Sequence, residues 1–212
     1  MAVFSLINIG PLVSAYKPTV FFETGTGAGN GLKAALKYPF KRLISVEIMD
    51  KEVEILRKEF EHEPRVELHC GTSLEVMEQE LPKLDSEECI FFWLDAHYPG
   101  ADLHIADCAR FPGVNCDRYD NDFDDSLRLP LHHELSLIKK YRSGKRDIIM
   151  ADDLSIYFTP EKVGEAFKPR AEGFDRTFFL KAFEQTHSAQ FLVVGFNPPI
   201  NSDDLVGVLI PK

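Results

Sequence analysis

Short apolar runs alternate with segments of helical spacing along the first 152 residues. We predict strands at 19–25, 42–48, 65–70, 88–95 and 146–152, and helices at 29–38, 50–62, 73–84 and 131–141. Strands separated by helices of this length usually pair in parallel, and runs that are apolar throughout suit strands covered on both faces. The pattern therefore predicts an α/β fold with a Rossmann-like, doubly wound and mostly parallel sheet.

The last part of the chain departs from this alternation. Two apolar runs, 190–196 and 204–210, are joined by only seven residues, NPPINSD. Because this link is too short for a helical crossover, we expect a C-terminal antiparallel strand pair. The length of 212 residues suits one core, and no internal repeat or long linker interrupts it, so residues 1–212 are predicted to form a single domain.

A long insertion separates the fourth predicted strand from its helix. Residues 98–130 comprise roughly thirty residues where about 2–6 would be usual, and they include seven aspartates. Long irregular segments at the carboxyl end of a strand often carry function. We predict that 98–130 forms a lid over the substrate, and a solvated acidic loop is the alternative.

Composition limits the class of partner. The chain has 34 acidic and 24 basic residues, and its formal net charge of −10 repels polyanions, so no nucleic acid is expected. No apolar run reaches 18 residues, so we expect no membrane span. The four cysteines form no CxxC pair, and the apolar N-terminal segment lacks the basic region of a signal peptide, so we expect a cytoplasmic protein. A homo-oligomer is compatible with the sequence.

The first predicted strand continues into a glycine-rich turn that runs from Glu23 to Gly29 with the sequence ETGTGAG. Its glycines allow a tight turn and a close approach of the backbone to a ligand, and the helix that follows offers unpaired backbone N–H groups. Glu47 ends the second strand 20 residues after Gly27, where a carboxylate can accept hydrogen bonds from both hydroxyls of a ribose. These features predict a site for an adenosine-type ligand, either a dinucleotide or a methyl donor.

Glu23 favours the methyl donor. A carboxylate directly before the glycines repels a pyrophosphate, whereas it is compatible with the ammonium group of an amino-acid moiety. With Glu47 and the terminal strand pair, the turn resembles that of the class I S-adenosylmethionine-dependent methyltransferases. The resemblance covers nearly the whole chain except the 98–130 insertion. A tight turn that binds no ligand is the alternative.

The resemblance implies S-adenosylmethionine as the cofactor and assigns residues around it. The glycine turn would hold the methionine part of the donor, and Glu47 would hold the ribose. Thr72 and Ser73, after the third strand, would lie beside the adenine and contact it by hydroxyl or backbone. The implied donor-binding residues are Glu23, Gly25, Thr26, Gly27, Gly29, Glu47, Thr72, Ser73 and Asp95.

Acidic residues end two neighbouring strands. Asp95 ends the fourth strand, and Asp152 and Asp153 end the fifth, so the three carboxylates should meet at one edge of a parallel sheet. A divalent cation would remove their mutual repulsion, and oxygen ligands suit Mg²⁺. The arrangement resembles the metal-dependent O-methyltransferases of the catechol and macrolide-sugar types. We predict Asp95, Asp152 and Asp153 as Mg²⁺ ligands, with helix capping or solvent exposure as alternatives.

His97 is the candidate general base. The sulfonium donor is already activated, so the enzyme must orient an oxygen nucleophile and help to remove its proton. His97 lies two residues after Asp95, and we predict both as catalytic residues. The catechol type often has a lysine three residues after the metal-binding acid, where this chain has Tyr98, and this difference leaves the identity of the base open.

These features predict an S-adenosylmethionine-dependent O-methyltransferase that acts on a small hydroxylated acceptor. A sugar or polysaccharide precursor is the first candidate, by analogy with the macrolide-sugar type. Two alternatives stay open. One is a metal-independent N-methyltransferase whose aspartates bind an amine, and the other is a methyltransferase-like domain that acts as an interaction module without catalysis.

Overall fold

The computed structural model describes residues 3–97, 129–154, 157, 176–195 and 203–212. Almost all of the 98–130 insertion lies outside these ranges, so its role as a lid stays a prediction. Within them, no helix combines the length and the apolar character needed to cross a membrane.

Seven described strands form one sheet in the order β3-β2-β1-β4-β5-β7-β6. The strands are β1 (Val20–Thr24), β2 (Arg42–Glu47), β3 (Val66–Cys70), β4 (Ile90–Leu94), β5 (Ile148–Ala151), β6 (His187–Gly195) and β7 (Asp203–Pro211). Strands β1 to β5 pair in parallel, and β7 is antiparallel to both β5 and β6. The predicted fold class and the C-terminal antiparallel pair are confirmed. The strand order reverses between β1 and β4.

The described helices lie on both faces of the sheet. A 3₁₀ helix (Val3–Leu6) precedes α1 (Gly10–Tyr16), α2 (Asn30–Ala35), α3 (Asp50–Glu59), α4 (Ser73–Glu80), a 3₁₀ turn (Leu81–Lys83), α5 (Leu131–Arg142) and α6 (Arg176–Ala182). Helices α2 and α3 end three residues earlier than predicted. Pro39 disfavours helical geometry at residue 38, the predicted end of α2, and Phe60 already departs from helical geometry with a φ of −99° and a ψ of 13°.

Alternate side chains of the central strands pack on opposite faces of the sheet. Phe22 and Phe92 face the layer that contains α4, α5 and α6, whereas Phe21 and Trp93 face α1, α2 and the first 3₁₀ helix. Trp93 is fully buried, with its ring centroid 4.7 Å from that of Phe4. Because both faces are covered, β4 is apolar throughout, and the chain becomes polar only where the strand reaches the edge of the sheet.

A buried ion pair anchors the opposite end of the sheet. Arg142, at the end of α5, lies 2.9 Å from the carboxylate of Asp147, and each side chain is 2% exposed. Asp147 also accepts the backbone N–H of Ile90, and Arg142 donates to the carbonyl groups of Asp85 and Glu88. The pair thereby joins α5 to the starts of β4 and β5.

Replacing Arg142 with methionine should lower the free energy of unfolding by about 3–5 kcal/mol, because the Asp147 carboxylate would stay buried without its partner. Urea denaturation measures this change. Arg42→Met is the matched control: it removes a partly exposed pair with Glu67 and should cost about 1 kcal/mol or less. Equal losses in the two variants would contradict the role given to the buried pair.

Candidate active site

The carboxyl ends of four parallel strands meet at one edge of the sheet. Thr24 pairs with Val46 on one side and with Leu94 on the other. The ladder continues past the strands, because the Gly25 N–H donates to the Val46 carbonyl at 2.9 Å and the Asp95 N–H donates to the Thr24 carbonyl at 3.1 Å. The turns after β1 and β4 are therefore held at the point where the strand order reverses, which is where open α/β sheets bind ligands.

The glycine turn lies directly against the turn after β4. Gly25 has a φ of 78°, and a Cβ atom at this position would overlap the backbone carbonyl of Asp95. In the first turn of α2, a Cβ atom at Gly31 would overlap the carboxylate of Glu23. The backbone contact at Gly25 requires glycine and fixes the turn relative to β4, and the absence of a side chain at Gly31 leaves room for the buried Glu23 carboxyl group.

Glu23 lies inside the protein, beneath the glycine turn. Its side chain is buried, and its carboxylate accepts a hydrogen bond from the Ser45 hydroxyl, which in turn lies 2.6 Å from the Thr26 hydroxyl oxygen. Burial raises the pKa of Glu23 well above its usual value, the Ser45 bond opposes this shift, and the charges of Asp95 and Glu47 add to it. Glu23 supports the turn from below, and its predicted contact with the donor stays a prediction.

Glu47 fixes the other side of the turn. One carboxylate oxygen accepts the Gly27 N–H at 2.8 Å, and the other accepts the Met49 N–H at 3.0 Å. Burial raises the pKa of Glu47, and these backbone donors oppose the rise. Each carboxylate oxygen has a second acceptor position. The geometry is therefore compatible with the predicted acceptance of two ribose hydroxyls.

Thr72 and Ser73 mark the start of α4, where the adenine was predicted. Thr72 forms a capping box with Glu75: its hydroxyl oxygen accepts the Glu75 N–H at 3.2 Å, and the Glu75 carboxylate accepts both the N–H and the hydroxyl hydrogen of Thr72. The Thr72 hydroxyl is thus engaged within the helix start, and Ser73 is buried. Of the two predicted modes of adenine contact, the geometry favours the backbone.

Asp95, His97 and Asp153 converge above the ends of β4 and β5. The Nε2 atom of His97 lies 2.6 Å from a carboxylate oxygen of Asp153 and 3.6 Å from one of Asp95. One ligand atom from each residue lies within 4.8 Å of the others, and their side chains are 14–21% exposed. The Trp93 indole N–H donates to the Asp95 carboxylate at 3.3 Å and orients it. Two carboxylates and one imidazole are a donor set that fits a divalent cation.

Asp152 lies outside this converging group, although the sequence predicted it as a ligand. Its side chain is buried, and its carboxylate accepts the backbone N–H of Asp153 at 2.9 Å. Asp153 has a φ of 50°, and this left-handed turn directs the Asp153 side chain to the group. The geometry thus brings together Asp95, His97 and Asp153, and a ligand role for Asp152 stays a prediction.

Glu134 is a buried carboxyl group that sequence reasoning missed. It is 1% exposed, and among the described residues neither of its carboxyl oxygens has a well-formed hydrogen bond. Burial raises the pKa of Glu134 to about 7, and the nearby hydroxyls of Ser73 and Thr24 and the charge of His97 oppose the rise. A signal was present, because residues 131, 134, 135, 138 and 142 form one buried stripe of α5. A carboxylate on that stripe marks an unusual position.

The fold is that of the class I S-adenosylmethionine-dependent methyltransferases. An O-methyltransferase from Bacillus cereus, in complex with S-adenosylhomocysteine, is 19% identical, with a TM-score of 0.58 over 98% of this chain and 78% of its own. The methyltransferase PaMTH1 from Podospora anserina, bound to S-adenosylhomocysteine, is 16% identical, with a TM-score of 0.55 over 95% and 75%. The N-methyltransferase NodS from Bradyrhizobium japonicum is 9% identical, with a TM-score of 0.51 over 92% and 86%. No protein-family model matches the sequence, and no curated protein is significantly similar to it.

Proposed function

We propose that this protein transfers a methyl group from S-adenosylmethionine to an oxygen of a small hydroxylated acceptor, with the help of a divalent cation. The observation that carries the proposal is the placement of the glycine turn, Glu47 and the Asp95–His97–Asp153 group at one edge of the sheet. Similarity of fold to methyltransferases that bind S-adenosylhomocysteine supports it. A sugar or polysaccharide precursor is the first candidate acceptor.

The donor would lie across the glycine turn. Glu47 would accept hydrogen bonds from its ribose, and the backbone at the start of α4 would contact its adenine. The carboxylates of Glu47, Asp95 and Asp153 at this edge suit a donor that carries a sulfonium and an ammonium group, because opposite charges attract across a partly buried site.

Asp95 and Asp153 would hold the cation. Their carboxylate oxygens are hard ligands that suit Mg²⁺ or Mn²⁺, and the Trp93 indole and the left-handed turn at Asp153 hold them in position. When bound, such a cation lowers the pKa of an acceptor hydroxyl and fixes its direction.

His97 would accept the proton. In the transfer, an oxygen–methyl bond forms while the sulfur–methyl bond breaks, and the hydroxyl proton passes to the ring nitrogen of His97 that does not face Asp153. The resulting imidazolium would be paired through its Nε2–H with Asp153, whose carboxylate lies 2.6 Å from Nε2. This pairing stabilises the charge that develops on the ring.

Replacing His97 with glutamine should lower the rate of methyl transfer by about 100-fold and leave the affinity for Mn²⁺ within about threefold of wild type, because the base is removed and the carboxylates remain. Formation of S-adenosylhomocysteine with a panel of catechols and hexoses measures the rate, and electron paramagnetic resonance of Mn²⁺ measures binding. A parallel loss of Mn²⁺ affinity would make His97 a third ligand and contradict its role as the base.

The two alternatives give different results in the same assays. A metal-independent N-methyltransferase would methylate amines in the presence of a chelator, and the similarly folded NodS is an N-methyltransferase. A non-catalytic interaction domain would release no S-adenosylhomocysteine with any acceptor. The converging Asp95–His97–Asp153 group favours the metal-assisted O-methyltransferase over both.

A further inference from the structure

Three buried polar atoms of the described residues lie next to the candidate site without a well-formed hydrogen bond. Within the described part of the chain, the buried side-chain oxygens that lack a hydrogen bond are Oγ1 of Thr24 and both carboxyl oxygens of Glu134. Thr24 ends β1, where its carbonyl accepts the Asp95 N–H at 3.1 Å, and the hydroxyls of Ser73 and Thr24 both lower the pKa of Glu134. The three atoms therefore lie together beside the turn after β4. An unsatisfied buried group is destabilising, and proteins retain such groups where an ion, a water or a ligand supplies the partner.

Helix α5 allows a comparison of Glu134 with a second buried charged residue. Its buried stripe carries one charged residue near each end, Glu134 and Arg142. Arg142 is fully paired with Asp147 and with backbone carbonyl groups. Glu134, at the end of the helix near the carboxyl edge of the sheet, has no such partner among the described residues. Among the described residues, the fold therefore pairs Arg142 with an opposite charge and gives Glu134, beside the candidate site, no such pair.

Glu134 shares its surroundings with the Asp95–His97–Asp153 group. The charge of His97 acts on Glu134, and His97 itself contacts Asp153 and Asp95. Tyr157 is also buried: burial is the main cause that raises its pKa, and the charges of Glu134, Asp153 and Asp95 raise it further. These three acidic groups outnumber the one imidazole, and a divalent cation would offset their negative charge.

We propose that Glu134, together with the Thr24 hydroxyl, forms the inner wall of the divalent-cation site and strengthens cation binding. The inference rests on the proposed function for the presence of the cation. It extends that function by adding a carboxylate from α5 to the groups supplied by the ends of β4 and β5. Carboxylates around a metal site that do not themselves converge on the ion still change its affinity by about 10–100-fold.

The test is Mn²⁺ binding at pH 8, where most of the Glu134 carboxyl is ionised. Electron paramagnetic resonance should show that Glu134→Gln raises the Kd for Mn²⁺ by about 10–100-fold, and that Thr24→Val raises it by a smaller factor. Glu80→Gln is the matched control, because Glu80, the last residue of α4, is also buried but pairs with Lys83 in the following 3₁₀ turn. Its Kd should equal that of wild type.

Thermal unfolding without metal separates this role from a structural one. Glu134→Gln should be at least as stable as wild type, because the amide avoids the cost of burying a charge. The inference would be overturned if Glu134→Gln bound Mn²⁺ with the affinity of wild type. It would also be overturned if the variant bound Mn²⁺ more weakly only because it is less stable without metal. If wild type binds S-adenosylhomocysteine but no Mn²⁺, the inference and the cation half of the proposed function fail while the donor site stands.

Discussion

Gly25→Ala should lower the affinity for S-adenosylhomocysteine by roughly 100-fold or more, which corresponds to about 2.7 kcal/mol. Gly25 has a φ of 78°, and an added Cβ would overlap the backbone carbonyl of Asp95. The left-handed conformation costs alanine about 1–2 kcal/mol, and relieving a backbone clash typically costs another 1–3 kcal/mol. The movement would separate the glycine turn from the end of β4, where the donor is proposed to bind. Titration calorimetry measures the affinity.

Gly27→Ala is the matched control in the same turn. Gly27 also has a positive φ, 50°, but an added Cβ would have no atom within 4 Å. This variant should therefore show only the conformational cost of about 1–2 kcal/mol in urea denaturation. If the two variants lose the same stability and the same affinity, the close contact between the glycine turn and Asp95 is not what positions the donor site.

Asp153→Asn should weaken Mn²⁺ binding by roughly 100-fold, because it removes one of the two carboxylates that are proposed to hold the cation. Asparagine is suited to this test, since it tolerates the left-handed conformation that Asp153 adopts and so preserves the turn after β5. Donor binding should stay close to that of wild type, because Glu47 and the glycine turn are unchanged. Mn²⁺ binding and calorimetry with S-adenosylhomocysteine measure the two effects.

Asp152→Asn provides the comparison for Asp153→Asn. The amide oxygen of asparagine can still accept the N–H of residue 153, so the fold should be retained. Because Asp152 lies outside the converging group, its variant should bind Mn²⁺ within about threefold of wild type. A loss as large as that of Asp153→Asn would instead support the prediction that all three aspartates are ligands.

The sequence was sufficient to predict the sheet and the edge where its turns meet. The apolar runs end in polar residues at Glu47 and Asp95 because both faces of the strands are covered and only their ends reach an open edge. The glycines between Glu23 and Gly29 are needed for a turn with positive φ angles and a close backbone contact. These signals are local, so spacing and residue type reveal them.

The finer geometry of the site depends on tertiary contacts that no local pattern shows. The pair Asp152–Asp153 gives no indication that the chain turns left-handed at the second residue, which directs that side chain to His97. Glu23 is placed correctly at the turn, but its burial under Gly31 is visible only in three dimensions. The stripe of α5 shows that Glu134 is buried, but its neighbours Thr24, Ser73 and His97 come from segments distant in sequence, so the helical pattern alone does not place it at the site.

Calorimetric titration of the wild-type protein with S-adenosylhomocysteine tests the central claim most directly. We predict one binding site per chain with a Kd in roughly the micromolar range, and at least a tenfold loss of affinity in Glu47→Ala, because that carboxylate orders the glycine turn and would hold the ribose. Absence of binding at ligand concentrations of about 1 mM, in a folded protein, would contradict the assignment of this edge as a methyl-donor site.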